Sequence, residues 1–562
     1  MTATPVSDEQ AILSGPAVPE WLREATGETL VELLDLAAAR TPDDVAIVMR
    51  HGADADTWRY AELVEASRRV ASALAGAGVT AGDRVLTWAA NDPWLVAAYF
   101  GLWRLGASVV PLDLRMSLDV AARIGRAAGA TLLLAGPAIS PEQVESIELP
   151  SLQVSRDGLD PSPDRQPDLP PALVDPSTLA EILFTSGTTS DPKGVMITHG
   201  QMIHSVRAIA LTAGGLHRER ALALIPLSHA YGQMVPLFYG LVTGSQITFI
   251  GTMTPARLLD ALRRDSITAI TVVPQFLELL MDRIEGEAGR RGALTRLRRI
   301  RRLALALHLP IPVRRWLFRD VLAGLGGGLS ILSCGGARLP VELQLAWEGL
   351  GVIVVQGYGA TECSAIAGHD RRSRRPGTVG PPLAGIEVRI APDGELLARG
   401  PNAMSGYWRR PEETAEVLEG GWVHTGDAAT VDAHGELVIM GRTRDRIALP
   451  NGMKVYPEDV ERPLLAQEAI RAAVALEGAP GQLVAVLVPA ADASTDAQLD
   501  AAVAAANESL AQHQRIRRWR RWPDADFPRT HTFKVRRSEV AGWYASEARG
   551  GSAAAGGEGG AS

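Results

Sequence analysis

The sequence predicts an α/β protein: two doubly wound sheets and a small β unit in a large N-terminal part, then a smaller α+β region at the C-terminal end. Three observations predict it. Short apolar runs alternate with helix-length stretches, and the alternation comes in two blocks. The 562 residues also suffice for about three to five structural units at the usual 100–200 residues each.

In the first block VAIV (45–48), RVLTWAA (84–90), SVVPL (108–112) and TLLLAG (131–136) read as strands between helix-like 60–77, 93–105 and 117–128. Strands that alternate with helices imply largely parallel pairing, because each crossover carries the chain back over the sheet. The Pro- and Asp-rich stretch 157–176 then reads as a linker. The second block offers ALALIP (221–226), QITFIG (246–251), AITVVP (269–274), LSILSCGG (329–336) and VIVVQGYG (352–359) as strands. Between 379 and 440 the Gly-punctuated GIEVRI, GELLARG and GELVIMG read as short antiparallel strands. Residues 446–545 follow with helix-like 457–467 and 494–512 around the apolar AAVALEG and QLVAVLVPA. The closing EARGGSAAAGGEGGAS has the composition of a disordered tail.

Composition excludes several classes. Hydrophobic residues make up 46% and charged ones 21%, and no apolar run approaches the roughly 18 residues that cross a bilayer. A formal charge of −8 is too balanced for a chain whose main task is neutralising nucleic-acid phosphates. Cys334 and Cys363 are the two cysteines, and residues 1–20 lack the basic-then-apolar pattern of a signal peptide, so a cytoplasmic protein without disulfides is expected. Of the 56 basic residues only Lys193, Lys454 and Lys534 are lysines. A lysine retained in so arginine-rich a chain points to work for a compact, mobile ammonium.

The strongest segment is EILFTSGTTSDPKGVMITHG at 181–200. An apolar run delivers Thr185, Ser186, Gly187, Thr188, Thr189 and Ser190, then Asp191, Pro192, Lys193 and Gly194, before a second apolar run. Successive N–H groups, hydroxyls and an ammonium suit a polyphosphate. No Gly-Lys-Ser/Thr closes the loop, which excludes an ordinary P-loop NTPase.

TSGTTSDPKG resembles the phosphate-binding signature of the adenylate-forming superfamily, the group of acyl-CoA synthetases, luciferases and peptide-synthetase adenylation domains, and further motifs follow in that family's order. CGGARLP (334–340) is similar to the segment that lies against adenine, which implies that role for Gly335, Gly336 and Ala337. QGYGATE (356–362) implies Tyr358, between Gly357 and Gly359, as a stacking face, Thr361 as a hydroxyl for the α-phosphate and Glu362 as the Mg²⁺ ligand. Alone, Glu362 would read as a helix-start acid. HTGDAATVDAHGELVIMGRTRDR (424–446) implies Asp427 on the ribose hydroxyls, Arg442 near ribose and phosphates, and Arg444 at the hinge, where relatives carry Asp or Lys. NGMKVYPEDVE (451–461) resembles the segment past that hinge and leaves Lys454 a candidate second-step or phosphate contact. PRTHTFKVRR (528–537) is similar to the signature ending in the catalytic lysine, here Lys534, with Phe533 where the family commonly has Gly. PLSHAYGQ (226–233) implies His229 as a gate between acyl and pantetheine channels.

The resemblance covers about residues 29–540 and implies an N-terminal extension (1–28), a large adenylation domain (29–443), a small mobile C-terminal domain (444–545) and a tail (546–562). It implies ATP, Mg²⁺ and CoA as the reaction's partners, with pyrophosphate released as acyl-AMP forms. Gly359 and Ala360 would leave the acyl-pocket wall short, with Cys363 and Val235 as lining, and no charged residue there calls for an amino acid's ammonium group. An apolar chain is expected, and the motifs look most similar to bacterial medium- to long-chain fatty acyl-CoA ligases. Two alternatives stay open: transfer of the acyl group to an acyl carrier protein, and a silent homologue that binds nucleotide or acyl chains. The arginine-rich stretch 289–319, interleaved with Leu, Ile, Trp316 and Phe318, suits either an anionic membrane surface or a solvated helix face. Oligomeric state is open.

Overall fold

The structure, a computed structural model, describes residues 12–160, 174–185, 192–450, 453–479, 481–490, 495–529 and 535–554. In the first sheet Ser151–Gln153, Leu132–Ala135, Arg84–Trp88, Ser108–Pro111 and Leu179–Thr185 run parallel in that order. Lys193–Thr198 and Gly406–Tyr407 add two antiparallel strands at one edge. The second sheet has the order Asp54–Arg59, Val45–His51, Gln246–Ile250, Arg220–Ala223, Ala269–Val272, Ile331–Cys334, Ile353–Ala360 and Ser364–Gly368. Its two edges are antiparallel hairpins and its interior pairs are parallel.

The strand at 45–48 reads with the first block but pairs in the second sheet, Ile47 opposite Ile247. Local periodicity identifies a strand without saying which sheet receives it. Its hairpin partner Asp54–Arg59 is polar and almost wholly exposed, so it carries no apolar signal. Helices Tyr60–Gly76 and Pro93–Arg104 fill the space between the sheets. One core runs from Val109 and Leu134 of the first sheet through Tyr99, Phe100 and Trp103 to Ile47 and Phe249 of the second. Each such side chain contributes about 1.5–3 kcal/mol by leaving water, and the Trp103 indole still satisfies its N–H on the Ala180 carbonyl at 2.8 Å.

The third sheet is antiparallel, built on Glu387–Ile390, Glu395–Arg399, Trp422–Val431 and Leu437–Arg442. Leu13–Ser14, from the stretch expected as an extension, pairs with its edge. In the C-terminal region helices Pro457–Leu465 and Asp496–Ser509 cover strands Ile470–Glu477 and Leu483–Pro489. Ile516–Arg521 joins them in parallel, an arginine-rich strand without the apolar run that would announce it. Helix Arg537–Ala554 continues into the segment expected to be disordered, whose alanines favour helix.

Glu181, in Leu179–Thr185, is fully buried; Gln233 Nε2 donates to its Oε2 at 2.9 Å, while its Oε1 and Gln233 Oε1 have no partner among the described residues. Burial outweighs that bond and pushes the acid up to about 8. The native state therefore holds a proton that the unfolded chain has released, and stability falls as pH rises from the ordinary glutamate range to about 8. Glu181→Gln keeps the shape and can donate to Gln233. It is expected to flatten the thermal midpoint between pH 5 and 8 and to add on the order of 3 kcal/mol at pH 8. An unchanged slope in differential scanning calorimetry would contradict this.

Candidate active site

Parallel strands present their carboxyl ends to a common edge, and a doubly wound sheet takes ligands there. In the second sheet Cys334 stands opposite Gln356, so Gly335 and Gly357, one residue on in each strand, emerge side by side. Gly335 admits close approach: a Cβ there would stand 3.0 Å from the Tyr231 ring, whose hydroxyl lies 3.3 Å from Ser333 Oγ. Gly336 and Ala337 are exposed beyond it, a bare backbone wall.

Tyr358 lies in the same strand end as Gly357, and its hydroxyl donates to Asp427 Oδ2 at 2.6 Å. Asp427 pairs across the third sheet with Arg442, whose Nε is 3.0 Å from Asp427 Oδ1. Burial and the adjacent carboxylate hold the Tyr358 phenol far above its ordinary value, so it stays a donor. Tyr358, Asp427 and Arg442, expected at one nucleoside, are thus brought together.

On the first sheet, Lys193 faces Thr185 across the hairpin, and Thr185 Oγ1 donates to the Lys193 carbonyl at 3.4 Å. The Lys193 ammonium stands 5.1 Å from the centre of the Tyr407 ring. Strand Gly406–Tyr407 pairs with Lys193–Thr198, and the Tyr407 hydroxyl donates to Glu362 Oε1 at 2.9 Å. Nothing in the sequence singles out Tyr407, which joins the phosphate-loop hairpin to the expected metal ligand. Ser186, Gly187, Thr188 and Thr189 lie outside the described residues, as do Phe533 and Lys534.

Glu362 occupies no helix start. It sits with Thr361 in the turn between Ile353–Ala360 and Ser364–Gly368, held by a 2.8 Å bond from Met404 N–H to its carbonyl. Gly359 serves that hairpin, because a Cβ there would stand 1.9 Å from the Ser364 carbonyl oxygen. Cys363 does not line a pocket. The chain reversal turns it into the third-sheet core beside Ile366 and Ala384, where it is buried. Val235 lies half-buried in the π-helical turn Gln233–Tyr239, and Ala360 is half-buried at the end of its strand.

His229 Nε2 is 2.8 Å from Asp113 Oδ2, and Asp113 also accepts from Arg115 Nε at 2.9 Å and Nη2 at 2.7 Å. Asp113 follows strand Ser108–Pro111, the parallel neighbour of the strand that ends at Thr185, so this cluster flanks the phosphate-loop hairpin. Burial alone would raise the Asp113 pKa, but the bonds from Arg115 and His229 outweigh it and hold the carboxyl well below its ordinary range. PLDLR around it bears no pattern that marks it as a site residue.

Lys454 is exposed, and its ammonium donates to the Asp393 carbonyl at 2.8 Å, as Arg446 Nη1 does at 2.9 Å. Asp459 of the helix beyond meets Arg338, from the segment after Ala337, at 2.7 Å. Arg444 is an exposed turn residue whose Nε lies 3.8 Å from Asp445 Oδ1. For a divalent cation, Glu362 offers one half-exposed carboxylate, and no group of three or more His, Cys, Asp or Glu placed to hold a metal occurs among the described residues. That fits Mg²⁺, which keeps most of its shell as water and phosphate oxygen and takes one or two protein carboxylates.

Residues 34–408 match the AMP-binding enzyme family, and residues 444–550 match the AMP-binding enzyme C-terminal domain. A feruloyl-CoA synthase from Amycolatopsis is 32% identical over 467 residues, 79% of this chain and 86% of its own. A long-chain-fatty-acid–CoA ligase, FadD15, from Mycobacterium bovis is 29% identical over 562 aligned positions, 87% of this chain and 92% of its own. The O-succinylbenzoate coenzyme A synthetase of Bacillus subtilis, solved with ATP and magnesium ion, superposes with a TM-score of 0.75 at 24% identity over 90% of this chain and 98% of its own.

Asp113→Asn removes the charge shared by Arg115 and His229. It is expected to lower stability at pH 7 by about 2 kcal/mol. Because the Asp113 pKa is depressed in the fold, its contribution is complete above the ordinary aspartate range and is lost as pH falls below it. Urea titrations at pH 7 and pH 3 should show the gap between wild type and variant narrowing at the lower pH, and a constant or widening gap would refute the assignment.

Proposed function

The chain belongs to the AMP-binding enzyme family and is an AMP-forming acid–thiol ligase that uses ATP, Mg²⁺ and CoA; from that premise we propose that it activates an apolar carboxylic acid, in first reading a medium- or long-chain fatty acid. The observation that carries the reading is the linking of the three sheets through Tyr358 on Asp427 and Tyr407 on Glu362.

Asp427 spends acceptor sites on Tyr358 and Arg442 and, with about four in all, keeps others for two ribose hydroxyls. Gly335, Gly336 and Ala337 face one side of the adenine and the Tyr358 ring the other. Arg442 reaches toward ribose and phosphates. Thr185, Ser186, Gly187, Thr188, Thr189 and Lys193 hold the phosphates. Mg²⁺, when bound, neutralises phosphate charge, and Glu362 would hold it together with phosphate oxygens and water. In the first half-reaction a carboxylate oxygen of the acid attacks the α-phosphorus and the bond to pyrophosphate breaks. The Thr361 hydroxyl and the Lys534 ammonium take up the charge that builds on the α-phosphoryl oxygens, which is where preorganised donors lower the barrier.

In the second half-reaction the CoA sulfur attacks the acyl carbonyl and AMP leaves. The small domain (444–545) rotates about Arg444 between the two, relative to the large domain (29–443), carrying Lys534 away. Lys454 and Asp459, bonded here to Asp393 and Arg338, would exchange partners in that rotation, so they hold one orientation. Residues 1–28 precede the large domain and lend Leu13–Ser14 to its third sheet, and 546–562 follow the small domain, beginning within helix Arg537–Ala554. His229, oriented by Asp113, gates the acyl and pantetheine channels.

An aryl acid is a second reading, favoured by the Tyr231 ring, a flat face 3.0 Å from where a Gly335 Cβ would stand. Acid-dependent pyrophosphate release, measured over C2 to C18 and aryl acids with and without CoA, separates the readings. CoA-stimulated release with C8 to C18 acids, lost about 10²–10³-fold in Lys534→Ala, supports the fatty-acid reading. Stimulation only by aryl acids moves the assignment to the second reading. A single-turnover burst unaffected by CoA replaces the thiol acceptor with an acyl carrier protein, and no release with any acid defeats the proposal.

A further inference from the structure

A folded chain ordinarily turns guanidinium groups outward and large apolar side chains inward. Helix Ile311–Leu317 reverses that order. Arg314 Nη1 donates inward to the Glu348 carbonyl at 2.5 Å, and Arg315 donates to the carbonyls of Leu329 at 2.6 Å and Gly327 at 3.0 Å. Val313, Trp316 and Leu317, spaced i, i+3 and i+4 on one face, are 41%, 63% and 41% exposed.

The preceding helix, Leu294–Ala306, extends the same surface. Its inward face carries Leu297, Arg301 and Ala304, so its outward face presents Arg296, Arg299, Arg302 and Leu303, with Leu307 just past its end. Leu303 is 49% and Leu307 68% exposed. Five of the thirteen exposed large hydrophobic residues in the described chain fall between 303 and 317. Three of the nearby acids are paired with other arginines: Glu285 with Arg298 and Arg301, Glu287 with Arg290 and Arg291, and Asp320 with Arg319. Among the described residues Arg296, Arg299 and Arg302 form no ion pair.

We propose that this face, from Arg296 to Leu317, lies on an anionic lipid bilayer. Apolar tips beside unpaired cations match an acyl–headgroup boundary, and an indole at the rim is suited to it, apolar at one end and able to donate at the other. The inward bonds of Arg314 and Arg315 hold the apolar face outward in the free protein, so it is ready-made. No helix among the described residues is long and apolar enough to cross a membrane, and the contact is therefore made in the plane of the surface. The proposal is independent of which acid the enzyme takes.

The test is sedimentation of the full chain with vesicles of phosphatidylcholine alone or mixed with phosphatidylglycerol. Binding to the mixed vesicles should exceed binding to the neutral ones by about tenfold or more, given roughly fivefold per arginine, and should weaken with salt. The double variant Leu307→Glu, Trp316→Glu should lose about tenfold while keeping the wild-type thermal midpoint. Should that variant fail to fold, brominated lipid decides: it should quench wild-type tryptophan emission measurably more than that of Trp316→Phe. Equal sedimentation with both vesicles, equal quenching, or a dimer that the double variant dissolves without any vesicle binding would overturn the proposal, the last by making the face a contact between two copies.

Discussion

The 2.6 Å hydrogen bond from Tyr358 to Asp427 is the contact on which the site depends. Tyr358 lies near the end of the strand next to one edge of the second sheet, and Asp427 sits in the third sheet, locked to Arg442 by register and by an ion pair. The second and third sheets also share a core, Ile366 and Ala367 against Val388, Leu396 and Val423, and this bond joins them at the site. Tyr407 performs the matching task between the first sheet and Glu362. In both cases a phenol, buried at Tyr407 and half-buried at Tyr358, has its pKa driven up by desolvation and by the carboxylate it serves, and so stays protonated and keeps donating. Each carboxylate has acceptor capacity left over, which is what a ribose and a hydrated cation require.

Much of this was legible in the sequence, because the informative segments are local. The strand–loop–strand at 181–200, the glycines at 335 and 336, and QGYGATE each carry their chemistry within a few residues. What was not legible depends on distant segments. Val45–His51 reads as a strand, but its partner lies two hundred residues on. Gly359 belongs to a motif and Cys363 follows it, and only the hairpin geometry reveals that one makes room for a backbone carbonyl and the other fills a core. Asp113 and Tyr407 carry no motif; their importance comes from what the fold sets against them, His229 and Glu362.

The scarcity of lysine has a similar reading. Arginine fills the structural posts, forked onto Asp113, Glu461 and backbone carbonyls, where several fixed donors are needed at once. The two lysines that can be described make single contacts, Lys193 over the Tyr407 ring and Lys454 on the Asp393 carbonyl. A point charge on a flexible stem leaves such contacts easily. That is consistent with a site whose phosphates come and go and with a small domain that must change partners between half-reactions.

The central claim is that Asp427, presented by Tyr358 and Arg442, anchors the nucleotide. Isothermal titration of AMP into wild type and Asp427→Asn tests it most directly, with thermal melting to establish that the variant is folded. The account predicts a loss of about 10²–10³-fold in affinity, the worth of two charge-assisted hydrogen bonds. A folded variant that binds AMP as tightly as the wild type would contradict it.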